Sequence, residues 1–148
     1  MNDNFNDFLK NQKEKRENDA NRAEIRKEQH IEQINLMYNL VTEWLKESID
    51  KGNVSIQYDF KFVKEPFTFN ELIIEFEGKR VTLSPRPKYY ENESLTFIDI
   101  LGENVQREEI SFSYQNEKWV HERQGEFGNW DEVNEEYFHN ILKKYFNI

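Results

Sequence analysis

Apolar residues recur at helical spacing from Glu28 onward, at Ile31, Ile34, Met37 with Tyr38, Val41, Trp44 with Leu45, and Ile49, until Lys51-Gly52-Asn53 ends the run. A stripe at i, i+3, i+4 marks a helix with one buried face, so the pattern predicts a first core helix. Ser48 and the polar stretch ahead of this helix deny it the clean heptads of a coiled coil. Docking on a sheet is the expected arrangement.

The period then switches to two. Val54, Ile56, Tyr58, Phe60 and Phe62 alternate with Ser55, Gln57, Asp59 and Lys61, which predicts a strand with one buried and one wet face. Pro66 breaks it. Leu72, Ile74 and Phe76 alternate with Ile73, Glu75 and Glu77, and Gly78-Lys79 turns the chain into Val81 and Leu83, a hairpin signature. Pro85-Arg86-Pro87 is expected to stop that ladder, because proline has no N–H to donate. Leu95 to Leu101 reads as a nearly continuous apolar strand. Ile110, Phe112 and Tyr114 form another, and a turn at Asn116-Glu117 leads into Trp119 to Arg123.

Beyond the Gly125 to Gly128 loop, Asn129 followed by Glu132 has the spacing of a capping box. Val133, Tyr137, Phe138, Ile141, Leu142, Tyr145 and Phe146 then mark one face of a terminal helix, with Lys143 and Lys144 near its negative end. The fold class expected is α+β: an antiparallel meander of five to six strands packed against an N-terminal and a C-terminal helix.

The first 27 residues behave differently. Between Lys10 and Lys27, eleven of eighteen residues are charged and only Ala20, Ala23 and Ile25 are apolar, so no continuous face can be buried there. The residues still favour helix, which predicts a solvated helical or frayed arm over 1–27 ahead of a single domain over 28–148. Phe5, Phe8 and Leu9 form a small apolar knob on that arm, with Asp3 or Asn4 ahead of them as N-cap.

Charge follows the same division. The net charge of -9 splits into -2 over residues 1–9, +3 over 10–27 and -10 over 28–148. The densest acid lies between Glu108 and Glu136, where nine carboxylates meet only Lys118 and Arg123. Such asymmetry concerns association more than fold. Fifteen per cent aromatic residues supply a core to an otherwise polar chain.

Signatures of chemistry are sparse. The sequence lacks the glycine-rich dinucleotide and phosphate loops, the nucleophile elbow and the His-Glu-x-x-His zinc motif, and with no Cys it has no disulfide, thiolate zinc site or Cys nucleophile. Neither a signal peptide nor a spanning helix is expected, which suits a reducing cytoplasm. Asp131, Glu135 and His139 follow at i, i+4, i+8 and would share a stripe on one helix; the ordinary reading is a solvated acidic face, and no metal or cofactor is assigned. His30, just ahead of the apolar run, is given no role. Asp99 sits in an apolar strand and needs a partner, Arg80 or Arg86. Lys79, Arg80, Arg86 and Lys88 with Tyr89 and Tyr90 have the ingredients of single-strand nucleic-acid binding, but the acidic body opposes phosphate.

The leading expectation is therefore a non-enzymatic interaction module. An acidic, aromatic face made of Trp119, Glu122, Glu126, Phe127, Trp130, Asp131 and Glu132, helped by Phe5 and Phe8 on the arm, would bind a basic protein such as a nuclease, a toxin or a nucleic-acid-handling enzyme. Immunity proteins, antitoxins and phage-encoded inhibitors are the class of comparison. The alternative is a small-ligand-binding domain or enzyme with a pocket between helix and sheet, built from Tyr58, Asp99, His121 and Arg123. A homodimer through the N-terminal helix is the third arrangement expected.

Overall fold

A computed structural model describes residues 3–64, 67–90, 93–103, 110–123, 126 and 128–148. Helix α1 (Asp3–Trp44) and the short α2 (Lys46–Asp50) precede seven strands, β1 (Ser55–Lys64), β2 (Phe67–Phe76), β3 (Lys79–Tyr90), β4 (Glu93–Gly102), β5 (Ile110–Gln115), β6 (Lys118–Glu122) and β7 (Trp130–Glu132). Helix α3 (Glu135–Phe146) ends the chain. The strands form one sheet in the order β1-β2-β3-β4-β5-β6-β7, each pair antiparallel, so the fold is the α+β meander the alternation predicts.

The additional strand is β7. Residues Trp130–Glu132 pair with β6 instead of opening α3, and the helix is capped two residues later, where the Asn134 side chain accepts from the Tyr137 N–H at 2.8 Å. The Asn129/Glu132 capping box is thereby replaced by an Asn134 cap. Glu135 and Glu136 occupy the first turn, Lys143 and Lys144 the last, both favourable to the helix dipole.

The prolines of β3 do not end it. Register with β4 continues through Pro85↔Ile98 and Pro87↔Thr96, while register with β2 stops at Leu72↔Leu83. Proline is tolerated there because β3 has a partner on one side only. The Tyr38 hydroxyl closes the gap, lying 2.6 Å from the Asn70 carbonyl of β2 and 3.2 Å from the Leu83 carbonyl of β3. Burial holds its phenol protonated, since ionisation there would be unsolvated.

Two hairpin turns place consecutive residues at positive φ, Glu77 (48°) with Gly78 (79°) and Asn116 (51°) with Glu117 (65°). That backbone matches the twist of antiparallel strands and explains their short connections.

Among the described residues the helices cover one sheet face and leave the other without a helix, although Ile73, Ser84 and Ser113 on that second face are themselves buried. Val81, Leu83, Ile98, Ile100 and Phe112 are buried with Ile34, Met37, Tyr38, Val41 and Leu45 of α1 and its extension, and with Phe138, Ile141, Leu142 and Phe146 of α3. Thr82, Ser84, Arg86, Phe97, Asp99, Ser111 and Ser113 alternate with these strand residues and so point the other way. β1 departs from the expectation of a buried face: Tyr58 is 54% exposed and Phe60 68%. The physical reason is position, because α1 packs on β2 and β4 and β1 lies at the margin of the helical layer.

The arm is the same helix as the core stretch. α1 runs unbroken for 42 residues, about 63 Å at 1.5 Å per residue. Residues 4–22 are exposed along it, and the first fully buried side chain is His30. No described helix is long and apolar enough to cross a membrane.

Candidate functional site

The acidic end of the sheet is organised by Arg123, which follows β6. Its guanidinium donates to both Asp131 oxygens, at 2.9 and 2.8 Å, and to Glu126 at 3.1 Å. The bidentate geometry fixes both side chains more firmly than a lysine could. These hydrogen bonds hold the Asp131 carboxyl below the usual carboxylate range and keep Arg123 charged. Nearby, Lys118 lies 4.0 Å from Glu132.

The register of β6 with β7 assigns faces to the rest. His121 opposes Asp131 on the covered side, and its ring stacks on Tyr137 of α3 at 3.5 Å with planes 5° apart. Glu122 opposes Trp130, and Val120 opposes Glu132, on the uncovered side. Trp130 is 40% exposed, and Glu122, Glu132, Glu135 and Glu136 are exposed as well. Glu122, Trp130, Asp131, Glu132 and Glu126 are therefore gathered at one end of the molecule.

Three expectations for this region are corrected or fall elsewhere. Trp119 is 2% exposed; its indole N–H donates to the Gln33 carbonyl at 2.8 Å and its ring packs edge-on to Tyr114, so it is a core residue and offers no surface anchor. Phe127, with Gly125, lies outside the described residues. Asp131 belongs to β7, which breaks the helical stripe with Glu135 and His139; His139 lies 3.9 Å from Glu135 and 3.3 Å from the Trp44 carbonyl. Among the described residues no three His, Asp or Glu side chains converge as a metal site. Phe5 and Phe8 are exposed on the arm, remote in sequence from this end.

The four residues of the pocket reading are not brought together. Tyr58 lies on β1 against the Tyr38 ring at 6.0 Å. Asp99 lies on the uncovered face, His121 on the covered face, and Arg123 is held by acids beyond β6. Asp99 takes Arg86 as its partner, through bonds of 2.8 and 3.1 Å, and also accepts from Ser111 at 2.6 Å, while Arg80 pairs with Glu75. Arg86 in turn sits 4.7 Å over the Phe97 ring. One cavity beside α1 holds about 270 Å³ and is lined by Ile31, Ile34, Tyr38, Phe60 and Phe69 with two asparagines, another holds about 380 Å³ between α1 and α2, and neither contains a residue of the expected set.

The basic cluster is likewise engaged. Lys79 donates to the Phe146 carbonyl at the end of α3, and Arg80 and Arg86 are in ion pairs, while Lys88, Tyr89 and Tyr90 end β3.

A buried polar group escaped the sequence reading. His30, 1% exposed, places Nδ1 2.5 Å from Thr96 Oγ1, and that hydroxyl donates to Gln33 Oε1. With its one proton given to Gln33, Thr96 accepts from His30, which assigns the proton to Nδ1. Burial, aided by the nearby Arg26 charge, lowers the His30 pKa to about 4, so the ring is neutral. The signal was present: His30, Ile34, Met37, Val41 and Leu45 share one stripe at spacings of three and four.

No protein-family model matches the chain, and neither a curated protein nor a solved structure matches it.

Proposed function

We propose that the protein is a non-enzymatic interaction module that binds and inhibits a basic protein partner, in the manner of immunity proteins and antitoxins, through the β6–β7 end of its sheet. One observation carries the reading. The cations at that end are already engaged, Arg123 by Asp131 and Glu126 and Lys118 by Glu132, while Glu122 stands exposed opposite the partly exposed Trp130 and Glu135 and Glu136 are exposed in the first turn of α3. An exposed aromatic on an acidic end of the molecule combines an apolar anchor with long-range steering of a cationic surface, which raises association rates and makes them salt-dependent. The Arg123 bridge adds preorganisation, because Asp131 and Glu126 need not be ordered on binding. The helical arm, basic over 10–27 and tipped by Phe5, Phe8 and Leu9, supplies a second contact to the same partner.

Affinity capture with the full chain from its native host tests this. A basic protein is expected to bind at low salt, to be released as salt rises, and to be lost with Glu122→Gln/Glu135→Gln/Glu136→Gln and with Trp130→Ala. Binding that ignores salt, or that survives both sets of substitutions, contradicts the proposal.

A further inference from the structure

The sheet has two edges, and β1 is the long one. Among the described residues this ten-residue strand pairs with β2 alone, and Gln57, Tyr58, Asp59 and Phe60 are all exposed. An unpaired strand edge is a row of free N–H and C=O groups, a template for another strand unless it is short, charged or covered.

The direction of those groups can be read at Phe60. Its N–H donates to the Asp59 carboxylate at 2.8 Å, so it points away from β2. Its register partner Asn70 turns its carbonyl toward β3, where Tyr38 donates to it. Both observations make Phe60–Asn70 a non-hydrogen-bonded pair, which leaves the Phe60 N–H and C=O on the open edge. By the same alternation Tyr58 and Phe62 present their backbone groups outward.

We propose that β1 pairs with β1 of a second copy, antiparallel, about a two-fold axis at Phe60. In that register Phe60 faces Phe60 of the second copy and the two exchange both backbone bonds, with Tyr58 opposite Phe62 on either side. Asp59 falls opposite Lys61 of the second copy, twice, as a closely spaced non-hydrogen-bonded pair. The other outward-facing centres lack this ion pair, since an axis at Tyr58 sets Asp59 opposite Gln57 and an axis at Phe62 sets Lys61 opposite Val63, while Asp59 and Lys61 turn their own backbone groups toward β2. The sequence Asp59-Phe60-Lys61 is thus complementary to itself in one register only. Pairing also covers Tyr58 and Phe60, the exposed rings at the margin of the helical layer. The Asp59 carboxylate, which caps the Phe60 N–H in the single chain, exchanges that bond for Lys61. The interface is isologous and closed, so it stops at two chains.

Sedimentation of the full chain over a concentration series up to about 200 μM reads the result, since millimolar and micromolar association separate clearly in that range. A species of twice the 18.1 kDa chain mass is expected. Asp59→Lys alone and Lys61→Asp alone each weaken the dimer about tenfold or more, by turning both cross-strand pairs into like charges, and the double exchange restores it. Phe60→Pro removes an outward N–H without touching the β2 ladder and abolishes the dimer, with thermal unfolding as the control for folding. A monomer throughout the series overturns the proposal. So does a dimer that ignores all these substitutions, and one lost with Phe5→Asp/Phe8→Asp instead moves the contact to α1.

Discussion

The two edges of the sheet are built on opposite plans. β7 is three residues long, its Asp131 is tied to Arg123, and its Glu132 carries charge to the margin, so little backbone is offered to another strand. β1 is ten residues long and exposes Tyr58 and Phe60, and Asp59 bends back to the Phe60 N–H. Short length and charge are the ordinary protections of an edge, and β7 has both. The difference suits the two proposals: side chains at the β7 end would meet a partner's charge, whereas backbone at the β1 end would meet another strand.

The comparison can be broken most forcefully beneath β5 to β7. Phe138 packs between Phe112 (6.5 Å) and Trp44 (5.8 Å), fully buried, and Phe138→Ala is expected to lower stability by about 3–5 kcal/mol in urea unfolding. If the edges are separate devices, the folded fraction of that variant still self-associates through β1. His30 probes the other side. Its folded pKa of about 4 lies below the ordinary 6.5, so between these values the unfolded chain binds a proton that the folded chain refuses. Stability is therefore complete above pH 6.5, falls by about 1.4 kcal/mol per unit on acidification toward pH 4, and levels off below. His30→Gln should flatten that slope. Tyr38→Phe sharpens the account of the β2–β3 gap: losing the hydroxyl at Asn70 and Leu83 costs about 1–3 kcal/mol, and faster amide exchange should be confined to β1–β3. The smallest effect belongs to the acidic end. Glu122→Gln/Glu135→Gln/Glu136→Gln should change stability by no more than about 0.5 kcal/mol while abolishing salt-dependent partner binding.

How much of this was legible in the sequence depends on which interaction set each feature. Periodicity found both core helices and most strands, because burial of one face imposes the spacing of Ile34, Met37, Val41 and Leu45 and the alternation of Ile98 with Asp99. It misplaced features governed by neighbours. Pro85 and Pro87 look like strand breakers until the β2–β3 pairing is seen to stop at Leu72↔Leu83, and Asn129 looks like a cap until Trp130–Glu132 joins β6. Trp119 reads as a surface aromatic among acids, yet its place on β6 turns it onto Gln33 of α1. The Arg86–Asp99 pair was readable, since a carboxylate in an apolar strand demands a cation. The bridge from Arg123 to Asp131 was not, because it depends on the loop that returns β7 to β6. Nor was the exposure of Tyr58 and Phe60, since alternation reports that one face is apolar without reporting what covers it.

Residue-resolved amide exchange of the full chain at low and high concentration compares the two edges within one molecule. The Phe60 amide should become markedly more protected as concentration rises, while the amides of Trp130 to Glu132 stay unchanged. Equal behaviour of the two edges, or protection that appears at β7 and not at Phe60, contradicts the account.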